Sequence, residues 1–165
     1  MTTRTRSKSI LSRKEFLGWA WAITAVGLVG QSGAALFKFF RPRVDPGGFG
    51  TKINAGQVDE FKPGTVSHVP RGRFFISRLE DGSVLALWHR CTHLGCTVPW
   101  REDEKVFHCP CHSSRFDTTG EVLGGPAPRP LDTFPVEIAN DIIIVDTSQP
   151  TQRTHFEPSQ ATPTM

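Results

Sequence analysis

All four cysteines of this 165-residue chain lie between Cys91 and Cys111. They form two blocks, Cys91-Thr92-His93-Leu94-Gly95-Cys96 and Cys109-Pro110-Cys111-His112-Ser113-Ser114. Each block carries one closely spaced cysteine–histidine pair and one further cysteine. Thiolate and neutral imidazole donate strongly to zinc and to the irons of iron–sulfur centres. The usual zinc-finger order, two cysteines and then two histidines, does not occur in this sequence. Each block instead offers one thiolate and one imidazole, the supply that a centre with two unlike metal ions requires.

Such blocks need rigid elements to bring them together. Arg73–Leu79 and Ser83–Trp88 flank Glu80-Asp81-Gly82, and Asp-Gly is a strong hairpin signal. Val136–Ala139 and Ile142–Val145 flank Asn140-Asp141, a second hairpin. Val106-Phe107 and Arg115-Phe116 predict further short strands around the second block. No segment after Phe40 shows 3.6-residue apolar periodicity, so residues 51–146 are expected to form an antiparallel β-sandwich or barrel. Residues 147–165 are polar and proline-bearing, and are expected to lack a core of their own and to dock on a partner.

Charge divides the chain in the same way. The net charge is +3, yet residues 1–15 carry +4 and residues 44–165 carry −4. An acidic main body has no basic footprint for phosphates, which excludes nucleic acid as a partner. From Phe16 to Phe37 there are 22 residues without a charge. As a helix they span about 33 Å, close to the hydrocarbon thickness of a bilayer. Trp19 and Trp21 near one end and Phe37, Phe39 and Phe40 near the other match interfacial aromatic belts. The run is longer than a roughly 7–15-residue secretory core, so an uncleaved anchor is expected despite the small residues Ser32-Gly33-Ala34. The basic flank keeps the N-terminus cytoplasmic by the positive-inside bias. Gly27, Gly30, Gly33 and Ala34 offer a small-residue surface for a partner helix. Arg41–Gly50, rich in proline and glycine, reads as a linker.

The paired blocks, Cys-Thr-His-Leu-Gly-Cys and Cys-Pro-Cys-His-Ser-Ser, resemble the two cluster-binding loops of Rieske iron–sulfur proteins. The likeness is strongest to the quinol-oxidising subunit of cytochrome bc and cytochrome bf complexes. It implies a mainly β fold: a single transmembrane helix, a short hinge, and an antiparallel β-sandwich with a cluster-binding subdomain. Along the chain this gives a basic N-terminus (1–15), anchor (16–40), hinge (41–50), Rieske 2Fe-2S domain (51–146) and polar tail (147–165). The resemblance puts Cys91 and Cys109 on the inner iron, His93 and His112 on the outer iron, and Cys96 and Cys111 in a disulfide joining the loops. It makes His112, with His93, the catalytic pair, His112 contacting quinol. Leu94 becomes an apolar contact to the quinone pocket, and Gly124-Gly125-Pro126-Ala127-Pro128-Arg129-Pro130 a loop covering the cluster. His68, His89, His108 and His155 fall outside the ligand positions. Partners are a cytochrome b-type subunit, a c-type cytochrome, quinol and membrane lipid. The setting is a bacterial-type energy-transducing membrane, with the head on its outer, positive side.

One departure qualifies the likeness. Members of high potential place a serine and a tyrosine beside the cluster as hydrogen-bond donors. Ser114 matches the serine, but Phe116 stands in the tyrosine's place and the chain has no tyrosine. One donor fewer implies a lower potential, suited to menaquinol. Phe116 also keeps open the Rieske small subunit of an arsenite-oxidase-like enzyme, as the residue chemistry keeps open a membrane-anchored module stapled by zinc. Ser12-Arg13-Lys14-Glu15-Phe16-Leu17 is similar to a twin-arginine export signal with lysine replacing the second arginine.

Overall fold

The computed structural model describes residues 12–41 and 48–164, so the first 11 residues and most of the expected 41–50 hinge lie outside the described residues. The chain divides into two units, one ending at Arg43 and the other starting at Val44.

The first unit is a single helix, α1, Arg13–Phe40, long and apolar enough to cross a membrane and with none of its residues buried. Ser12 caps it: its Oγ accepts from the Glu15 backbone N–H at 3.3 Å while Glu15 returns a carboxylate to the Ser12 N–H at 2.8 Å. This reciprocal pair satisfies two otherwise orphaned donors. The export-signal-like segment thus begins as a helix cap. At the other end the Arg41 guanidinium lies 4.5 Å from the centre of the Phe37 ring.

Among the described residues the second unit has eleven short strands. β1 (Lys52–Gln57), β10 (Val136–Ala139) and β11 (Ile142–Asp146) form a three-stranded sheet in the order β1-β11-β10. β2 (Thr65–Val69), β3 (Phe74–Arg78), β4 (Val84–Trp88) and β9 (Thr133–Phe134) form a second sheet in that order. β5 (Trp100–Arg101), β6 (Val106–His108), β7 (Arg115–Phe116) and β8 (Val122–Gly124) form the third. All pairings are antiparallel.

Both expected hairpins form, and their turns explain why. Asn140 and Asp141 sit at φ 51° and 59°, the doubly left-handed pair whose twist matches the flanking strands. At Glu80-Asp81-Gly82 the glycine takes φ 82°, while the Asp81 carboxylate accepts from the Ser83 N–H at 2.9 Å and its hydroxyl at 2.6 Å. β3 and β4 read as continuous apolar runs because the middle sheet is covered on both faces. Phe74, Ile76, Val84 and Ala86 face one core with Ile53, Phe134, Ile143 and Val145. Phe75, Leu85 and Leu87 face a second core with Val98, Phe107, Phe116, Leu131 and the two cysteines Cys91 and Cys109. The cysteine blocks therefore grow out of a packed apolar base.

Residues 147–164 lie on the head itself. Thr147 is buried and its hydroxyl donates to the Thr51 carbonyl at 2.8 Å. Thr151 bridges Thr133 and Thr162 bridges Val84. Arg153 is only 7% exposed, and Phe156 packs against the second core. Polar composition alone pointed to a segment without a core of its own; the tail shares the core of the domain before it.

Candidate metal centre

The two blocks are loops with the same backbone closure. In the first, the Cys91 N–H donates to the Cys96 carbonyl at 2.8 Å and the Gly95 N–H to the Cys91 carbonyl at 2.9 Å. In the second, the Cys109 N–H donates to the Ser114 carbonyl at 2.8 Å and the Ser113 N–H to the Cys109 carbonyl at 3.0 Å. The fifth residue of each loop, Gly95 or Ser113, has positive φ, 80° and 58°. Glycine takes this conformation freely, and Ser113 is held there by the closure. The opening cysteine of each loop is thereby drawn inward. The fourth residues, Leu94 and His112, are turned to solvent, Leu94 being 70% exposed.

The predicted donors meet in two pairs, thiol with thiol and imidazole with imidazole. Cys91 and Cys109 are free, buried thiols, 3% and 2% exposed, in one apolar cluster. Burial pushes the Cys91 thiol up; the His93 backbone N–H opposes this and the adjoining Cys109 adds to it. A thiol in such surroundings stays protonated and inert unless a metal takes it as thiolate. The His93 and His112 rings meet edge to face with centroids 4.9 Å apart. His93 is partly buried, and its Nδ1 is buried without a hydrogen-bond partner, as a nitrogen reserved for a metal would be. Ser114 is fully buried and its Oγ is likewise unpartnered. Phe116 is fully buried in the same cluster as the two free cysteines. Two thiols, two imidazoles and orphaned polar atoms around them fit a 2Fe-2S group with mixed ligands.

Cys96 and Cys111 form a disulfide with Cα atoms 6.7 Å apart, joining the two loops. The sulfurs of Cys96, Cys109 and Cys111 lie within 4.8 Å of one another. Two of those three are spent in the disulfide, which leaves Cys109 as the available thiol of that group.

Supporting contacts come from the glycine–proline loop expected to cover the site. The Thr92 hydroxyl donates to the Arg129 carbonyl at 2.6 Å, fastening the first loop to the glycine–proline loop. Arg129 is ion-paired with Asp132. Gly125, at φ 95°, lies against the backbone of Ser113 and Ser114. The remaining histidines stand apart. His68 stacks on Phe75 at 4.5 Å, His108 lies 3.7 Å from Glu104, and His155 pairs with Glu157 at 2.9 Å. His89 Nδ1 is buried without a partner, near His68 at a ring distance of 6.0 Å.

Comparison with known proteins agrees with this geometry. Residues 51–135 match the family model of the Rieske [2Fe-2S] domain, and the chain belongs to that family. Among curated relatives, cytochrome b6-f complex iron–sulfur subunit 1 of Synechocystis sp. is 36% identical over 150 residues, covering 81% of this chain and 84% of that protein. Subunit 2 of Nostoc sp. is 31% identical over 167 residues, covering 90% and 92%. A solved naphthalene 1,2-dioxygenase shares the fold, with a TM-score of 0.51 at 23% identity over 61% of this chain and 27% of that one. The matched 2Fe-2S domain disfavours the zinc-stapled module, and the curated relatives, named as cytochrome b6-f iron–sulfur subunits, do not favour the arsenite-oxidase-like subunit. The apolar helix α1 and relatives named for a cytochrome complex support a single-pass membrane protein.

Proposed function

We propose that the chain is the electron-transfer subunit of a membrane quinol-oxidising complex of the cytochrome bc/b6-f type. Cys91 and Cys109 would hold the inner iron of its 2Fe-2S cluster, and His93 and His112 the outer iron. One observation carries this assignment: two buried free thiols and two touching imidazoles arise from loops of matching closure, tied by the Cys96–Cys111 disulfide. Relatives named as cytochrome b6-f iron–sulfur subunits support it.

When bound, such a cluster supplies a one-electron acceptor whose potential is raised by neutral imidazole ligands. The residues around it do the rest. His112, exposed at the end of its loop, accepts a hydrogen bond from the quinol hydroxyl, holds the proton and releases it to solvent. His93, partly buried beside it, keeps the second imidazole oriented. The exposed Leu94 provides apolar contact to the partner pocket in which quinol sits. The buried Ser114 hydroxyl has its hydrogen free for a cluster sulfur, whereas Phe116 has none to give. That single donor supports a potential matched to menaquinol.

A c-type haem that takes the electron would belong to a partner subunit, since this sequence carries no Cys-x-x-Cys-His attachment motif. The N-terminus lies in the cytoplasm and the head on the opposite side, where an oxidising compartment preserves the disulfide. The 41–50 segment acts as the tether on which the head moves between donor and acceptor.

EPR of the dithionite-reduced full-length protein tests the ligand set: a signal of low average g is expected, and iron-free or colourless protein would overturn it. Redox titration of Phe116→Tyr tests the quinone class. A raised midpoint is expected; an unchanged or lowered one refutes the menaquinol assignment.

A further inference from the structure

Outside the metal centre, two charged side chains are buried among the described residues, Asp132, which pairs with Arg129, and Arg153. Arg153 lies in the C-terminal segment beyond the matched residues 51–135 and is 7% exposed. We propose that Arg153 is a positioning residue that clamps the neck of the loop covering the cluster and so controls how firmly that cover closes.

The covering loop leaves the domain at Gly120 and returns at Leu131, where the Leu131 N–H donates to the Gly120 carbonyl at 3.0 Å and closes the neck. The Arg153 guanidinium spans both sides of this neck. Its Nε donates to the Leu131 carbonyl at 2.8 Å, one terminal nitrogen donates to the Thr119 carbonyl, and the other to Gln160 Oε1 at 3.0 Å. It is pressed against the chain, since a Cβ on Gly120 would come within 2.5 Å of it. Asp117, Glu121 and Asp132 surround it and favour its charge, against the cost of burial. Glu121 also accepts from the Phe156 N–H, a second tie between neck and tail. A rigid fork of donors is needed to hold the carbonyls on the two sides of the neck at once, which lysine or an apolar residue cannot do.

From the neck the constraint reaches the metal centre through three contacts. Thr92 donates to the Arg129 carbonyl, Gly125 rests on Ser113 and Ser114, and Ala127 is buried in one cluster with Cys91 and Cys109. The segment 121–130 is thus held at its base by the tail and at its crest by both cysteine loops. Without the guanidinium, the buried Leu131 carbonyl and the part-buried Thr119 carbonyl lose their donor, the neck opens to recover water, and the crest lifts from Cys91 and Cys109.

The proposal rests on the ligand assignment above, and the test separates the two. Full-length protein in detergent is loaded, and iron release to a chelator is timed alongside hydrogen exchange of residues 121–130 and the midpoint potential. Arg153→Met keeps the side-chain length and removes the donors; it is expected to release iron about tenfold faster and to exchange faster in 121–130. Arg153→Lys is expected to fall between Met and wild type. Thr164→Val is the control: Thr164 anchors the same tail to the β3–β4 turn, through the Gly82 carbonyl at 2.8 Å, and does not touch the covering loop. At matched loss of melting temperature it should release iron at the wild-type rate. Equal release by Arg153→Met and Thr164→Val, or wild-type release by Arg153→Met, overturns the clamp. A wild-type chain that never takes up iron overturns the ligand assignment and the clamp together.

Discussion

A Cβ placed on Gly125 would lie 2.5 Å from the Cα of Ser114 and 2.9 Å from its backbone nitrogen. The covering loop therefore meets the second cysteine loop backbone to backbone, with no room for any side chain between them. Glycine is also required there by its φ of 95°. Gly125→Ala must either strain the backbone, at about 1–3 kcal/mol, or lift the cover. Lowered iron content per chain is the expected outcome. Gly124, whose added Cβ would meet nothing within 4 Å, is the internal comparison, and Gly124→Ala should load normally. Full loading of Gly125→Ala would refute the close approach.

Ser114 is fully buried with an unpartnered hydroxyl. An unsatisfied buried hydroxyl destabilises a protein unless something later uses it. Ser114→Ala is accordingly expected to leave the iron-free chain as stable as wild type, or more so. In the loaded protein it should lower the midpoint by about 60 mV, the one-electron equivalent of about 1.4 kcal/mol. Calorimetry of the unloaded chain and potentiometry of the loaded one read the two effects separately; a stability loss with no change of potential would make Ser114 a packing residue only.

The Cys96–Cys111 disulfide closes a segment with a sequence separation of 15. In the chain-entropy account a crosslink of about that length stabilises by about 3 kcal/mol. The Cys96→Ser/Cys111→Ser double variant should melt several degrees lower and lose iron faster, because the short cysteine loops have little regular structure to hold them. An unchanged melting profile would show that the covering loop alone holds the two loops in register.

Burial holds the His89 imidazole below the ordinary histidine range, with His68 and Arg73 pushing the same way, and burial lowers His68 also. Unfolding returns both to about 6.5. The folded state therefore binds fewer protons than the unfolded one below that value. Stability is full above about pH 6.5 and is lost as pH falls from there through the lowered folded-state values. Denaturant midpoints at pH 8 and pH 5.5 measure the loss, and the His68→Gln/His89→Gln double variant should show less of it. An identical acid loss in that variant would place the titration elsewhere.

The anchor, both hairpins and the two cysteine blocks were legible because each depends on local chemistry. An uncharged run long enough for a bilayer, Asp-Gly and Asn-Asp turns, and Cys/His spacing need no knowledge of distant residues. Edge strands such as β1 and β2 were not legible. Their sequences alternate weakly, and β1 pairs with β11 across most of the domain, so what specifies them is the partner.

The tail shows the same division. From composition, residues 147–165 looked like a segment without a core, since polar content reports only what a stretch can bury among its own side chains. Arg153 is buried because the neck carbonyls of Thr119 and Leu131 meet it, and those three residues are brought together only by the folded domain. Sequence alone thus determined the kind of chemistry and the candidate donors for it, because residue type and short spacing are properties of the chain. Tertiary structure decided what covers those donors, what braces the cover, and which hydroxyl and imidazole nitrogen are left without a partner, because these depend on contacts between segments far apart along the chain.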